Sequence, residues 1–126
     1  MKESFPRVIL LEERYAIARL APDAPVPLWA NTGSFLSVTR SEDELTIVCV
    51  ESIMPTTQVA ERGRRAIKLS GPLDFSLCGI LSRLLEPLAT AQIPVFVIST
   101  YDTDYLFLNE DDLDRAFGAL HVAGLT

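Results

Sequence analysis

The stretch Leu69–Leu108, LSGPLDFSLCGILSRLLEPLATAQIPVFVISTYDTDYLFL, decides the fold of this chain. Its apolar residues recur at the spacing of three and four that places them on one helix face, namely Leu77, Ile80, Leu81, Leu84, Leu85 and Leu88. Asp74 stands before this run as a candidate N-cap. Because Pro87 removes one backbone hydrogen bond, the pattern predicts a helix that kinks near Arg83 or restarts at Pro87.

Strands are predicted on both sides of this helix, at 66–69, 95–100 and 105–108, and the last two are joined by the polar bend Tyr101–Asp104. A final helix is expected from about 111 to 121. The order strand, helix, strand, strand, helix is the βαββαβ pattern of ferredoxin-like folds without its last strand. The N-terminal segment 8–11, or the same element of a partner chain, is expected to fill that edge of the sheet.

The first half of the chain also predicts strands, at 15–20, 35–40 and 45–50, with a hairpin turn between the last two. Pro27 could occupy the first turn of a short helix that ends before Gly33. Thr56 or Thr57 could cap one or two helical turns leading to the next strand.

These elements predict an α+β chain made of two ferredoxin-like units packed together, with antiparallel sheets and helices on one face. The boundary is placed near residue 61, which gives a first unit of residues 1–61 and a second unit of residues 62–126. The N-terminal strand could complete the second sheet. Seven strands are counted where two complete units need eight, so the count stays open at this point.

The composition limits the kinds of partner. Of the 126 residues, 48% are hydrophobic, which suffices for a packed core. The 17 acidic and 11 basic residues give a net charge of -6, which repels the phosphates of nucleic acids and anionic lipids. No apolar run reaches the length of a membrane span or follows a basic leader segment. We therefore expect a cytoplasmic protein that binds neither nucleic acid nor membranes.

Other single residues predict structural roles. Cys49 and Cys78 are expected to be buried thiols, and one histidine with two cysteines is too few for a zinc site. Trp29 is expected in the core. The basic cluster Arg62, Arg64 and Arg65 predicts a solvated linker face, with contact to an acidic partner as the alternative.

The segment 69–108 resembles the ACT-domain family, most sharply in Ile98–Tyr105, ISTYDTDY, which joins the second and third strands of a unit. Gly71–Phe75 corresponds to the loop after the first strand, and Gly79–Leu81 to the helix that follows. Within that family the chain is similar to small bacterial-type tandem-ACT proteins related to aspartate kinase regulatory domains and to the cytosolic arginine sensor of the TOR pathway. The first half matches more weakly, through its order of elements.

This resemblance implies an amino acid ligand held between ACT units, and the residues offer the chemistry for one. Backbone N–H groups at Leu73, Asp74 and Phe75, after the turn at Gly71, could bind the ligand carboxylate. Asp102 and Asp104 could face its ammonium group. Neutral hydrogen bonds could come from Ser99, Thr100 and Thr103. For six of these residues the family resemblance itself implies contact with the ligand: Leu73, Asp74, Phe75, Ser99, Thr100 and Asp104.

Each of these residues also has a purely structural interpretation. Asp74 could serve only as a helix cap, and Gly71 could serve only a tight turn. Asp102 and Asp104 could belong to an ordinary hairpin turn. A metal role for the two acids lacks the further oxygen ligands that a hard cation needs.

The favoured function is a non-catalytic regulatory module of allosteric type, a homodimer by family habit, that binds a small amino acid and changes its packing or its binding of a protein partner. No catalytic motif, cofactor motif or metal site is expected. The alternative is a protein–protein assembly module without a small-molecule ligand. The two differ in whether the loop at 71–75 leaves a pocket against residues 99–104.

Overall fold

The computed structural model describes residues 5–74 and 78–126 of an α+β chain. Its elements in chain order are β1 (Val8–Leu10), β2 (Tyr15–Leu20), β3 (Leu36–Arg40), β4 (Leu45–Val50), β5 (Ala60–Leu69), α1 (Ile80–Thr90), β6 (Phe96–Ser99), β7 (Asp104–Asn109) and α2 (Leu113–Val122). Short 3-10 turns occupy Glu51–Ile53 and Glu110–Asp112. The chain divides into two compact units: a first unit, Glu13–Arg64, and a second unit made of Met1–Glu12 and Arg65–Thr126.

The second unit holds both α-helices that the structure describes, and its strands follow the order β1-β5-β7-β6. β1 pairs antiparallel with β5 of the same chain, with Val8 opposite Leu69 and Leu10 opposite Ile67. β6 and β7 form a hairpin whose last pair before the bend is Ser99 and Asp104. Since the bend and the end of β5 both lie in this unit, it contains every described residue of the predicted ligand site.

The core of the second unit confirms the apolar helix face. Leu84 and Leu88 of α1 are fully buried, and Ile80, Leu81 and Leu85 pack against the same cluster. The cluster is completed by Ile67, Leu69, Ile93, Leu106, Leu108, Ala116 and Leu120. Leu77 lies outside the described residues.

Pro87 does not divide α1, which runs without interruption from Ile80 to Thr90. The predicted restart at Pro87 is therefore wrong. A proline inside a helix costs roughly 3 kcal/mol, but burial of a leucine returns about 1.5–3 kcal/mol. Leu84 and Leu88 on either side of Pro87 are both buried, which offsets the lost backbone bond.

The predicted start of this helix was also wrong. α1 begins after Gly79, which has φ 80 in the left-handed region and carries no side-chain cap. A left-handed residue does not continue a right-handed helix, so α1 starts after Gly79. Asp74 lies outside this helix and is not its N-cap.

The first unit has the strand order β3-β4-β2-β5. β2 and β4 pair antiparallel from Tyr15 opposite Val50 to Leu20 opposite Leu45, and β3 pairs antiparallel with β4. One face of β2 and β4 is covered by Trp29, Ala30 and Met54. Trp29 thus packs in the core, as predicted.

Neither short helix predicted in the first unit forms. Residues 28–31 make only a turn, in which the Ala30 N–H donates to the Pro27 carbonyl at 3.0 Å, because the neighbouring prolines offer no N–H donors. After Pro55 the chain makes another turn, and β5 already starts at Ala60 instead of at residue 66. The branched residues there disfavour a helix.

β5 serves both units: Ala60–Arg64 belong to the first and Arg65–Leu69 to the second. The described residues form seven strands, which is the number that the sequence predicts.

The basic cluster on β5 is structural, so the predicted solvated face is wrong. Arg62 donates to the carbonyls of Pro55 and Gln58, both at 2.7 Å. Arg65 donates to the Leu11 carbonyl at 3.0 Å and pairs with Glu110 at 3.8 Å. Such arginines are half-buried because their guanidinium groups satisfy backbone carbonyls that would otherwise lack donors.

The two cysteines differ in exposure. Cys49 is buried within β4, and burial raises the pKa of its thiol while the nearby Arg62 lowers it. Cys78 is exposed, so its predicted burial was wrong: the residue precedes α1 and does not lie on the apolar helix face.

We expect one thiol of the native protein to react rapidly with a thiol-specific disulfide reagent and the other to react only after unfolding. The exposed Cys78 should be the fast one, because the buried Cys49 has both restricted access and a smaller thiolate fraction. Spectrophotometric titration with and without denaturant measures both phases. Cys78→Ser should remove the fast phase, and two fast thiols in the native wild type would contradict the burial of Cys49.

Candidate functional site

A pocket of about 210 Å³ lies in the second unit at the amino end of α1. Its walls are residues 73–74 and Gly79, the first residues of the helix, and the bend between β6 and β7. The lining residues are Leu73, Asp74, Gly79, Ile80, Leu81, Thr100, Tyr101, Asp102, Thr103 and Asp104. We call it the bend pocket. It is smaller than the roughly 300–1,000 Å³ of sites for drug-sized ligands, so its size suits a small metabolite.

The bend itself is closed by short hydrogen bonds. The Thr100 N–H donates to the Thr103 carbonyl at 2.8 Å, and the Thr100 hydroxyl donates to the same carbonyl at 3.1 Å. The Thr103 N–H in turn donates to the Thr100 hydroxyl oxygen at 3.3 Å. These bonds fix the direction in which Asp102 and Asp104 leave the backbone.

The loop and the bend are in direct contact. The Leu73 N–H donates to the Asp102 carbonyl at 2.6 Å. At Gly71 a Cβ atom would lie 2.9 Å from the same carbonyl, closer than real Cβ contacts allow. Gly71 is thus required by the close approach of two backbone segments, and any larger residue would push the loop off the bend.

This contact changes the assignment of the anion donors. The Leu73 N–H already donates to Asp102 and so does not point at a ligand. The first turn of an α-helix leaves its N–H groups without partners inside the helix, and α1 begins at Ile80. Ile80 and Leu81 both line the pocket, so their N–H groups are candidate donors in addition to those expected at residues 73–75. Phe75 lies outside the described residues.

The pocket carries negative charge. Asp74, Asp102 and Asp104 line it, and among the described residues no lysine, arginine or histidine does. Asp104 accepts a hydrogen bond from the Ser99 hydroxyl at 2.5 Å. At neutral pH these carboxylates attract cations and repel anions. The amino end of α1, whose Ile80 and Leu81 also line the pocket, favours negative charge.

The structure brings most of the predicted residues together. Six of them line the bend pocket: Leu73, Asp74, Thr100, Asp102, Thr103 and Asp104. Gly71 and Ser99 shape it without lining it, Gly71 through the close approach and Ser99 through its bond to Asp104.

Sequence reasoning missed four lining residues, namely Gly79, Ile80, Leu81 and Tyr101. A signal existed for the first three, because a glycine directly before an apolar periodic run can mark the point where a helix starts. The sequence places Tyr101 only in the bend, and the residue is 80% exposed.

Other features of the described residues bear on function. An open groove of about 590 Å³ runs between α1 and α2 and is lined mainly by small and apolar residues, including Pro87, Ala91, Ala119 and Val122. Within 5–74 and 78–126, no group of acids, cysteines or histidines is arranged to hold a metal ion. No helix in those ranges has the length and apolarity to cross a bilayer.

Comparisons with known proteins agree with this geometry. A crystal structure of a protein from Agrobacterium tumefaciens superposes with a TM-score of 0.89 at 36% identity, covering 97% of this chain and 91% of that one. The human protein named cytosolic arginine sensor for mTORC1 subunit 1 is 38% identical over 57 residues, which are 44% of this chain and 17% of that protein. The chain thus matches about a sixth of the length of this curated relative.

The regulatory subunit of aspartate kinase from Thermus thermophilus, in its ligand-free form, has a TM-score of 0.67 at 10% identity and covers 95% of this chain and 99% of that one. At this identity it shows the fold alone. One family model, described as an N-terminal domain, matches residues 13–57. The ACT domain model matches residues 59–122, and it confirms the resemblance predicted from the sequence. The chain belongs to the ACT domain family.

Proposed function

We propose that this protein is a non-catalytic regulatory module that binds a small amino acid in the bend pocket and responds by changing its packing or its binding of a protein partner. The observation that carries the proposal is the polarity of the pocket. The pocket is lined by the carboxylates of Asp102 and Asp104 from the bend and of Asp74 from the other side of Gly79, and also by the amino end of α1. A free amino acid carries an ammonium group, which carboxylates bind, and a carboxylate, which the amino end of a helix favours.

We also propose that both units are ferredoxin-like ACT units. In each unit the sheet reads as the fourth, first, third and second strand of a βαββαβ pattern: β5-β2-β4-β3 in the first and β1-β5-β7-β6 in the second. In the first unit a turn at 28–31 and the 3-10 turn Glu51–Ile53 stand where the helices would be. In the second unit β1 takes the place of the final strand.

The names of the relatives support a sensing role in the cytoplasm. The mammalian relative is a cytosolic arginine sensor, and ACT-type folds occur in the regulatory part of an aspartate kinase. We extend both properties to this chain as proposals. Binding against an ACT unit of a second chain, in a homodimer, would let the ligand alter subunit packing.

A thermal-shift screen of the twenty amino acids tests the proposal. At least one should raise the Tm, because a ligand that binds only the native state at a hundred times its Kd stabilises it by about 2.7 kcal/mol. Cationic amino acids should give larger shifts than neutral ones, and aspartate and glutamate the smallest, since the pocket is negative. The differences should shrink at high salt.

Two modified ligands separate the two ends of the pocket. N-acetylation removes the ammonium charge, and amidation removes the carboxylate, so each derivative should lose the shift if both groups are recognised. If no amino acid at millimolar concentration changes the Tm of the wild type, the proposal fails.

The second candidate function is an assembly module, and the groove between α1 and α2 favours it. Val122, which lines this groove, is 88% exposed, and with Pro87, Ala91 and Ala119 it forms an open apolar surface of the kind that can bind a partner. Sedimentation velocity distinguishes the two functions. Self-association that is independent of every amino acid supports assembly alone, whereas a ligand-dependent change supports sensing.

A further inference from the structure

Thr103 stands out from the other residues of the bend pocket by its burial. It is 5% exposed and is the one polar residue found in the core among the described parts of the chain. Its neighbours Asp102 and Thr100 are exposed. A polar side chain is buried at low cost only when it is hydrogen-bonded.

The Thr103 hydroxyl donates to the carbonyl of Leu69, the last residue of β5, at 2.7 Å. One residue earlier, the Asp102 carbonyl accepts from the Leu73 N–H. Two successive bend residues therefore bind the chain on either side of the turn at Gly71. The hydroxyl proton of Thr103 is engaged within the protein and is not offered to a ligand.

We infer that Thr103 is a positioning residue of the bend pocket: its hydroxyl ties the bend to the end of β5 and thereby holds Asp102 and Asp104 in their places in the pocket lining. Without this bond the bend is anchored to the loop through the Leu73–Asp102 bond and through packing alone. The Leu69 carbonyl would lose a buried donor, which weakens the same region further. As far as it concerns a bound amino acid, the inference rests on the proposed function.

The pair Thr103→Val and Thr103→Ser tests it. Valine keeps the shape and removes the hydroxyl, whereas serine keeps the hydroxyl and removes the methyl group. Amide hydrogen exchange of the ligand-free protein is the main measurement. In Thr103→Val the Leu73 amide should exchange about tenfold faster, as expected for the loss of one buried bond, while the amides of Leu84 and Leu88 keep their rates. Thr103→Ser should behave like the wild type.

The rise in Tm on addition of L-arginine tests the effect of Thr103 on ligand binding. The shift should fall in Thr103→Val and return in Thr103→Ser. Thr39→Val, an exposed position on β3, is the matched control and should change neither readout. If the wild type ignores L-arginine and every other amino acid, the proposed function fails, but the exchange of Leu73 still decides the positioning role.

Three results would overturn the inference: an unchanged Leu73 amide in Thr103→Val, a uniform rise of all exchange rates, or a serine variant that behaves like valine. If Thr103→Val does not fold, NMR of the wild type replaces it. A buried, bonded hydroxyl proton exchanges slowly enough to be seen, with contacts to Leu69. Its absence from the spectrum at low temperature would then contradict the inference.

Discussion

Asp104→Ala is expected to reduce strongly the stabilisation of the protein by amino acids while the chain stays folded. Asp104 opens β7 and lines the bend pocket, where its carboxylate would pair with the ligand ammonium. A hydrogen bond to a charged group contributes about 1.5–3 kcal/mol, so its loss should raise the Kd about 10- to 150-fold. Calorimetric titration of wild type and variant measures this change.

Two further variants separate charge from shape. Asp104→Asn keeps an oxygen for the Ser99 hydroxyl but removes the negative charge, so it should lose nearly as much affinity as alanine. Ser99→Ala, the matched control, leaves the carboxylate in place and should lose much less. Full affinity in Asp104→Asn would show that the charge of Asp104 has no part in binding.

Leu88→Ala is expected to lower the free energy of unfolding of the second unit by about 2–5 kcal/mol. Leu88 is fully buried, in the cluster that joins α1, α2, β5 and β7. The loss is a large part of the roughly 5–15 kcal/mol that stabilises most domains. Urea titration followed by far-UV circular dichroism measures it, because both described α-helices belong to this unit.

Leu28→Ala provides the control for this experiment. Leu28 is 90% exposed, and its truncation should change the free energy of unfolding by no more than about 0.5 kcal/mol. The fluorescence of Trp29, which packs in the first unit, reports on that unit separately. If the urea midpoint of Leu88→Ala equalled that of the wild type, the burial of Leu88 in the core of the second unit would be contradicted.

Strands were predictable where short apolar segments are bounded by turn residues. β2 and β4 have the predicted bounds, 15–20 and 45–50. The helix face of α1 was equally clear, because Leu84 and Leu88 repeat at helical spacing. In these segments local pattern and tertiary burial agree.

The errors lie where tertiary structure decides between local alternatives. Leu77 is in phase with Ile80, so spacing alone extends the helix backwards, but the left-handed backbone of Gly79 stops it. The half-buried arginines of β5 resemble a solvated cluster in the sequence. Only the fold shows that Arg62 and Arg65 donate to backbone carbonyls.

The acidic side of the bend pocket was predictable, since Asp102 and Asp104 share one short bend. The N–H groups available to the pocket were not predictable. Which N–H groups face a pocket depends on which are already engaged, and the Leu73 N–H is taken by Asp102. The same holds for Thr103, whose hydroxyl was assigned to a ligand but donates to Leu69.

The pairing of β1 with the far end of β5 has a consequence for how the chain is made. On the ribosome, Val8 emerges long before Leu69, its partner, has been synthesised. At about 5–20 residues per second the wait is roughly 3–12 s, during which the whole of Glu13–Arg64 is completed. The unit Glu13–Arg64 emerges first in one piece and can fold during translation, whereas the unit with the bend pocket cannot assemble until β5, β6, β7 and both helices have emerged.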